Sequence, residues 1–505
     1  MKIQHRFPIH RPLLKPIAAL ALWFLATGPL LGDVTVEQED EGGNVTINYR
    51  LTLTAKAETS PAFKYRFTVL PHEQIQGNAI THYLRSQGEG SLTRPWETAR
   101  ERFGEEVYDW YANETPTKDV PVEDLRTASG YFDGYIKNHL DRASRCRDVD
   151  WGLGIADLRG DEAISFLLPS IQQTRSMARA LQLQNRLAVI DGRYEDSVEL
   201  LRINFQLGQD VAKLPLLVSA LVGIAEVGMA HEGSLQLIAA DGSPNLYWAF
   251  ADLPDPIINL RQAFRVEASM PRRFLTELDG VESAQLPPEE WARRLSSVVE
   301  RLLEVSTMYT DQAGEDQKQF ADWLKLASGM VIYPAARQRL IDSGMDEAAV
   351  DKMCVAQVVL VDTANQIDRY SNEIEKINCL SYPRARVMIA KFENRLRAEA
   401  NRSNPGAVVM SLLAPATAQV KSAMLRVQAQ MRALMAIESI RHHVATEGSL
   451  PQSLDELMLP VRENPLTEKP FLYVVEQVDG KSIAHLSIDG LIYPRQYKYT
   501  LEFIK

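Results

Sequence analysis

The sequence predicts a mainly α protein: a multi-helix array of helical hairpins, with a small N-terminal β element and a small C-terminal antiparallel sheet. Three observations predict it. Apolar residues recur at helical spacing through most of residues 122–443. Glycine and proline cut that stretch into successive helices, as at Asp191-Gly192 and Pro244. Period-two alternation is confined to the two ends of the chain.

Residues 1–32 are expected to be a signal peptide. Lys2, Arg6, Arg11 and Lys15 form a basic leader without an acid, residues 16–31 carry no charge, and Asp33 is the first acidic residue. Ala26-Thr27-Gly28 places small residues at both recognition positions and Leu30-Leu31-Gly32 places the cut nearer the polar boundary, leaving Pro29 or Asp33 as the first mature residue. The alternative is an uncleaved anchor. The uncharged run of about 16 residues is short against the roughly 20 that a spanning helix needs. The expected location is extracytoplasmic, either periplasmic or secreted, with membrane contact only through this segment if it is retained.

Residues 33–121 read as a small α+β region. In NVTINYRLTLTA, Val45, Ile47, Tyr49, Leu51 and Leu53 alternate with polar residues, which marks a half-buried strand. Val34 and Val36 supply its hairpin partner across Glu41-Gly42-Gly43, residues 62–70 read as a further short strand, and residues 78–86 and 93–110 read as helices. Residues 112–122, polar and carrying Pro116 and Pro121, read as a linker.

Residues 122–403 read as a helical domain, with helices over 167–189, 195–209, 214–237, 287–309, 316–330, 345–378 and 382–401. Gly223 and Gly228 in the third of these allow a neighbouring helix to approach closely. Residues 214–230, bearing Glu226 and Pro215, are too short and too acidic for a membrane span and read as a core helix. Residues 404–505 combine a long helix over 416–446 with a small sheet. Val420, Met424, Val427, Met431, Leu434 and Met435 form the apolar stripe of that helix. Ser453-Leu454-Asp455-Glu456 opens a short helix, Asn464-Pro465 a turn, and Asp479-Gly480 a tight hairpin.

Composition narrows the function. The chain has 505 residues, 45% hydrophobic and 24% charged, with a formal net charge of −11. That acidity, with no basic stripe, disfavours nucleic acid as a partner. Cys146, Cys354 and Cys379 are too few for a disulfide framework, leaving either one Cys354–Cys379 bond or buried free thiols.

Motifs for chemistry are sparse. H-E-x-x-H, G-x-S-x-G and phosphate-loop patterns do not occur. One cluster has the spacing of a divalent metal site: Glu438 and His442 share a helix face, and His443 lies beside them with Glu447. The competing reading is an ion-paired helix end. Cys146 with His139, the acids Asp148, Asp150, Asp157 and Asp161, and the aromatics Tyr247, Trp248, Phe250 and Phe264 each have a structural reading as good as a functional one.

Three resemblances follow. AVIDGRYEDS, residues 188–197, resembles the inter-helix turn of a tetratricopeptide repeat, although Ser197 stands where that family has alanine and no second copy occurs. The segments PAFKYR (61–66), GNA (77–79), DW (150–151), PNLYWA (244–249), VAQVVL (355–360), GSLPQSL (448–454) and NPLTEKPF (464–471) resemble a family of exported proteins of planctomycete-type bacteria. That resemblance implies export and a helical body, and no catalytic residue. The C-terminal region also resembles the globular tail of pseudopilins, without the pilin leader. The expected function is an exported, non-enzymatic helical scaffold that binds protein partners in the cell envelope, without a cofactor. The alternative is an envelope hydrolase with a non-standard site, built on Glu438, His442 and His443.

Overall fold

The computed structural model describes residues 33–41, 44–87, 92–162, 169–308, 332–400, 403–413, 417–490 and 495–504. The leader, the Gly42-Gly43 turn, the expected helix over 316–330 and residues 491–494 lie outside the described residues.

The strands are β1 (Val34–Glu41), β2 (Asn44–Thr54), β3 (Ile75–Asn78), β4 (Cys146–Asp148), β5 (Leu472–Val478), β6 (Lys481–Ile488) and β7 (Arg495–Ile504). Alternation makes both the N-terminal and the C-terminal hairpin: β1 pairs antiparallel with β2, and β5 with β6. Asp479 and Gly480 both take positive φ, 51° and 79°, as a tight two-residue hairpin turn requires. The two hairpins are not separate elements. Strand β2 pairs in parallel with β7, so one mixed sheet runs in the order β1-β2-β7-β6-β5. The register explains why. Tyr49 lies opposite Tyr499 and Leu51 opposite Leu501, so the two apolar rows merge into one buried face. The expected antiparallel C-terminal sheet is therefore part of a larger, mixed one.

The principal helices are α1 (Ala79–Arg85), α2 (Thr93–Phe103), α3 (Val122–Gly130), α4 (Pro169–Ile190), α5 (Tyr194–Ala212), α6 (Leu217–Ala239), α7 (Tyr247–Ala251), α8 (Arg261–Phe274), α9 (Pro288–Met308), α10 (Tyr333–Asp342), α11 (Val355–Asn378), α12 (Tyr382–Glu399), α13 (Pro405–Leu413) and α14 (Thr417–Glu447). The protein is mostly helical, as predicted. Residues 345–378 do not form one helix, because Asp346 caps a single turn and α11 begins anew at Val355.

Three apolar cores hold the elements together. One joins α1, α2 and α3 to α4 and the outer side of α5. The central one seats the sheet on α6 and α14. The third packs α8 to α13 around α11. Helix α14 has 31 residues, about 45 Å at 1.5 Å per residue. Its predicted stripe is buried, and so are polar residues within and beside that stripe: Lys421, Gln428, Glu438, Ser439 and Arg441. Their polar atoms are matched one by one. Gln428 Oε1 accepts the Ile257 N–H at 2.8 Å, and Ser439 Oγ donates to the Leu459 carbonyl at 2.6 Å.

Helices α5 and α6 touch backbone to backbone. A Cβ on Gly223 would run into the Gly208 carbonyl oxygen, and one on Gly208 would stand 2.8 Å from the Gly223 carbonyl oxygen. The close approach expected at Gly223 is present, whereas Gly228 faces open space. Gly208→Ala is expected to destabilise the chain by about 1–3 kcal/mol, because packed backbone cannot yield as a side chain can. Chemical denaturation checks this, with Gly228→Ala as the control that stays near wild type.

Two expectations near the N-terminus are overturned. Residues 62–70 are not a strand. Phe67 is buried against Phe205 and Phe250 with ring centroids 5.1 and 5.0 Å away, and Arg66 and Thr68 both bond Asp252, so the segment anchors to helices instead of a sheet edge. Residues 112–122 are not a free linker. Asn113 is buried and donates to Glu232 Oε2 at 2.5 Å, and the Thr117 hydroxyl donates to Asp33 at 2.8 Å. The polarity that reads as solvent exposure comes from a clasp between the chain's N-terminal segment and α6.

Candidate functional site

Helix α14 is buried as far as His442 and exposed over its last three residues, 445–447, so most of the predicted metal cluster lies in its buried part. Glu438 and Arg441 are three residues apart, both fully buried, with Arg441 Nη1 2.9 Å from Glu438 Oε2. Arg441 also donates to the Thr54 carbonyl at 3.1 Å and to Ser243 Oγ at 3.1 Å. Asn245 Nδ2 donates to the Glu438 carbonyl at 2.8 Å. Burial pushes the Glu438 carboxyl up, and Arg441 opposes that shift. His442 Nδ1 accepts the Glu58 N–H at 3.0 Å, and His443 is half-buried one position on. Arg441, held by Glu438, and His442 therefore clamp the end of β2 and the segment after it. Among the described residues, no group of three or more His, Cys, Asp or Glu is placed to hold a metal ion. The signal for the clamp was Arg441 itself, a cation one turn from Glu438.

A second polar cluster lies where the centre of the sheet meets α6. Tyr49 and Tyr499 stack with ring centroids 5.4 Å apart. Tyr49 donates to Glu232 Oε1 at 2.5 Å, and the Tyr499 hydroxyl is 3.0 Å from His231 Nε2. Gln236 Nε2 donates to Asn113 Oδ1 at 2.7 Å and completes the chain of bonds. Burial, followed by the charge of Glu232, holds both tyrosines well above the usual phenol range. Such hydroxyls donate hydrogen bonds but supply no phenolate at neutral pH. In the sequence His231-Glu232 is only a fragment of H-E-x-x-H, and its tyrosine partners lie on distant strands.

The remaining candidates resolve as structure. Cys146 is buried, its Sγ donates to the Arg142 carbonyl at 3.3 Å, and burial raises its pKa, which removes thiolate character. Cys354 and Cys379 are free and flank the two ends of α11, a helix of 24 residues and so about 36 Å long. That separation rules out the bond between them, and Cys379 is exposed, not buried. Asp161 pairs with Arg301 at 2.7 Å, and Asp150 Oδ1 accepts the Gly152 N–H at 2.9 Å. Tyr247, Phe250 and Phe264 belong to the central core, while the Trp248 indole donates to Glu58 at 2.6 Å. In the turn between α4 and α5, Gly192 takes φ 70°, and buried Ser197 donates to Asn185 Oδ1 at 2.6 Å. A hydroxyl at this position answers an amide on the neighbouring helix.

Two features remain with unmet capacity. The first is the β5 edge. Its row of Leu472, Val474 and Val478 is 56%, 54% and 43% exposed, while Tyr473 and Val475 face the core. The opposite edge, β1, exposes Glu37, Glu39 and Asp40. The second is a cavity of about 250 Å³ between α2 and α4, lined by Trp96, Glu97, Arg100, Tyr108 and Arg179 among others.

Against protein-family models, curated proteins and solved structures, the chain finds no match. Among the described residues, no helix is long and apolar enough to cross a membrane.

Proposed function

We propose that the chain is an exported, non-enzymatic helical scaffold of the cell envelope that binds a protein partner by adding the partner's extended segment to strand β5. The basic leader and uncharged run of residues 1–32 support export. The engaged states of Glu438, Cys146 and the paired tyrosines support a binding role over a hydrolytic one.

The observation that carries partner binding is the β5 edge. Natural sheets guard their edges with charge, as β1 does here with Glu37, Glu39 and Asp40. Strand β5 is terminal in the sheet and carries exposed Leu472, Val474 and Val478. Backbone pairing along such an edge gives affinity, and alternate side chains give specificity. Glu476 is the one charge on this row, and the chain's net charge is −11. The partner segment is therefore apolar at alternate positions and basic opposite Glu476. The acidic β1 of a second copy is repelled.

A short fluorescent peptide with alternating valines and one lysine tests this by anisotropy. Wild type is expected to bind it, and Val474→Lys to weaken binding at least about tenfold with unchanged thermal unfolding. Glu476→Lys is expected to transfer the preference to a peptide carrying glutamate in place of the lysine. Absence of binding to wild type, or equal binding to Val474→Lys, overturns the reading.

A further inference from the structure

The cavity between α2 and α4 is built by helical spacing. Trp96, Glu97 and Arg100 fall three and four residues apart, so they share one face of α2. Trp96 is the buried floor, and its Nε1 donates to the Ser176 carbonyl on α4 at 3.1 Å. After α2, Gly104 takes φ 77° and turns the chain, and Tyr108 comes back to stack on Trp96 with centroids 5.2 Å apart and planes 24° apart. Arg179, one turn beyond Ser176 on α4, completes the wall.

The charges in this cavity are unbalanced. Among the described residues, the Arg179 guanidinium makes no hydrogen bond or ion pair. The carboxylate paired with Arg100 is that of Glu105 at 3.8 Å, in a pair whose side chains are 52% and 76% exposed. An exposed pair at that distance contributes little. Glu97 is exposed and supplies one negative group at the same cavity. In a chain of net charge −11, two under-used guanidiniums beside a stacked aromatic floor form a local site for an anion with a flat apolar body. The single acid adds a place for an ammonium group.

We infer that this cavity binds a free α-amino acid with an aromatic side chain. Its carboxylate lies toward Arg100 and Arg179, its ammonium toward Glu97, and its ring on the Trp96–Tyr108 stack. The size suits such a ligand, since a cavity of about 250 Å³ is below the range that takes drug-sized molecules. The inference stands apart from strand addition at β5, because the two sites share no residue.

Titration calorimetry on the full mature chain tests it with three probes: L-phenylalanine, 3-phenylpropionate, which lacks the ammonium, and 2-phenylethylamine, which lacks the carboxylate. The expected order is phenylalanine first, phenylpropionate several-fold weaker, and no heat from the amine. Arg179→Gln is expected to weaken phenylalanine at least tenfold. Glu97→Gln is expected to bring phenylalanine down to the level of phenylpropionate. Glu97 is exposed and Arg179 half-buried, and circular dichroism verifies folding of each variant. Absence of heat with phenylalanine, equal binding of phenylalanine and phenylpropionate to wild type, or unchanged binding by Arg179→Gln overturns the inference.

Discussion

Arg441→Ala is expected to lower the stability of the chain by about 3–5 kcal/mol at neutral pH, because it strips the counter-charge from a fully buried carboxylate. The cost has a second part. Arg441 also satisfies the Thr54 carbonyl at 3.1 Å and the Ser243 hydroxyl at 3.1 Å, which the truncation leaves without their donor. The loss should shrink as pH falls. Burial already pushes the Glu438 carboxyl up, and without Arg441 nothing on that side chain's own helix opposes the shift, so acid pH neutralises the orphaned group. A double replacement, Glu438→Leu with Arg441→Met, should recover most of the loss by removing both charges together. Urea unfolding of the three variants at two pH values checks this. An Arg441→Ala midpoint equal to wild type would show that the pair does not clamp the end of β2.

Glu226→Gln is expected to stabilise the chain above neutral pH and to flatten its pH dependence. Glu226 is fully buried on α6, and its carboxyl is pushed up to about 8 by burial, with Asp210 adding to the shift and Thr174 and Arg175 opposing it. The sign follows from proton counts. Between about 4.5 and about 8 the folded chain holds a proton on Glu226 that the unfolded chain releases. The folded state is therefore favoured at the acid end of that window and loses ground as pH rises, at about 1.4 kcal/mol per unit from this group. Above about 8 the carboxylate is ionised in both states and the loss is complete. Glutamine keeps the shape and cannot ionise. Thermal unfolding of both proteins from pH 5 to 9 is expected to show the curves diverging as pH rises. Parallel curves would mean that Glu226 does not titrate in this window.

Much of the fold was legible in the sequence because the signals are local. Helices α4 and α5 and the turn at Gly192 follow from apolar spacing and one glycine, and the β5–β6 hairpin follows from Asp479-Gly480. What could not be read was which distant segments meet. Strand β2 alternates as a half-buried strand would, yet nothing within it says that its second neighbour is β7. The polar stretch at 112–122 read as a linker because polarity on its own does not distinguish water from a buried partner, and Asn113 has Glu232 and Gln236. The candidate metal cluster was read from helical spacing alone. Its spacing was right for sharing a helix face, but that face is turned inward, where Glu438 meets Arg441 and not a cation from solvent. The aromatic cavity leaves no mark in the sequence because Trp96 and Arg179 come from helices joined only in space.

The parallel pairing of β2 with β7 also sets an order of events. Asn48 on β2 and Thr500 on β7 are bonded across 452 positions. Strand β2 is made before the helical body and β7 after it, so the middle of the sheet stays open until residue 504 has been made. Until then β2 offers one edge to β1 and leaves the other waiting. Pairings over such separations are slow to form, because the intervening chain must first be brought together. The helical hairpins can assemble as they emerge, and the sheet is fastened last.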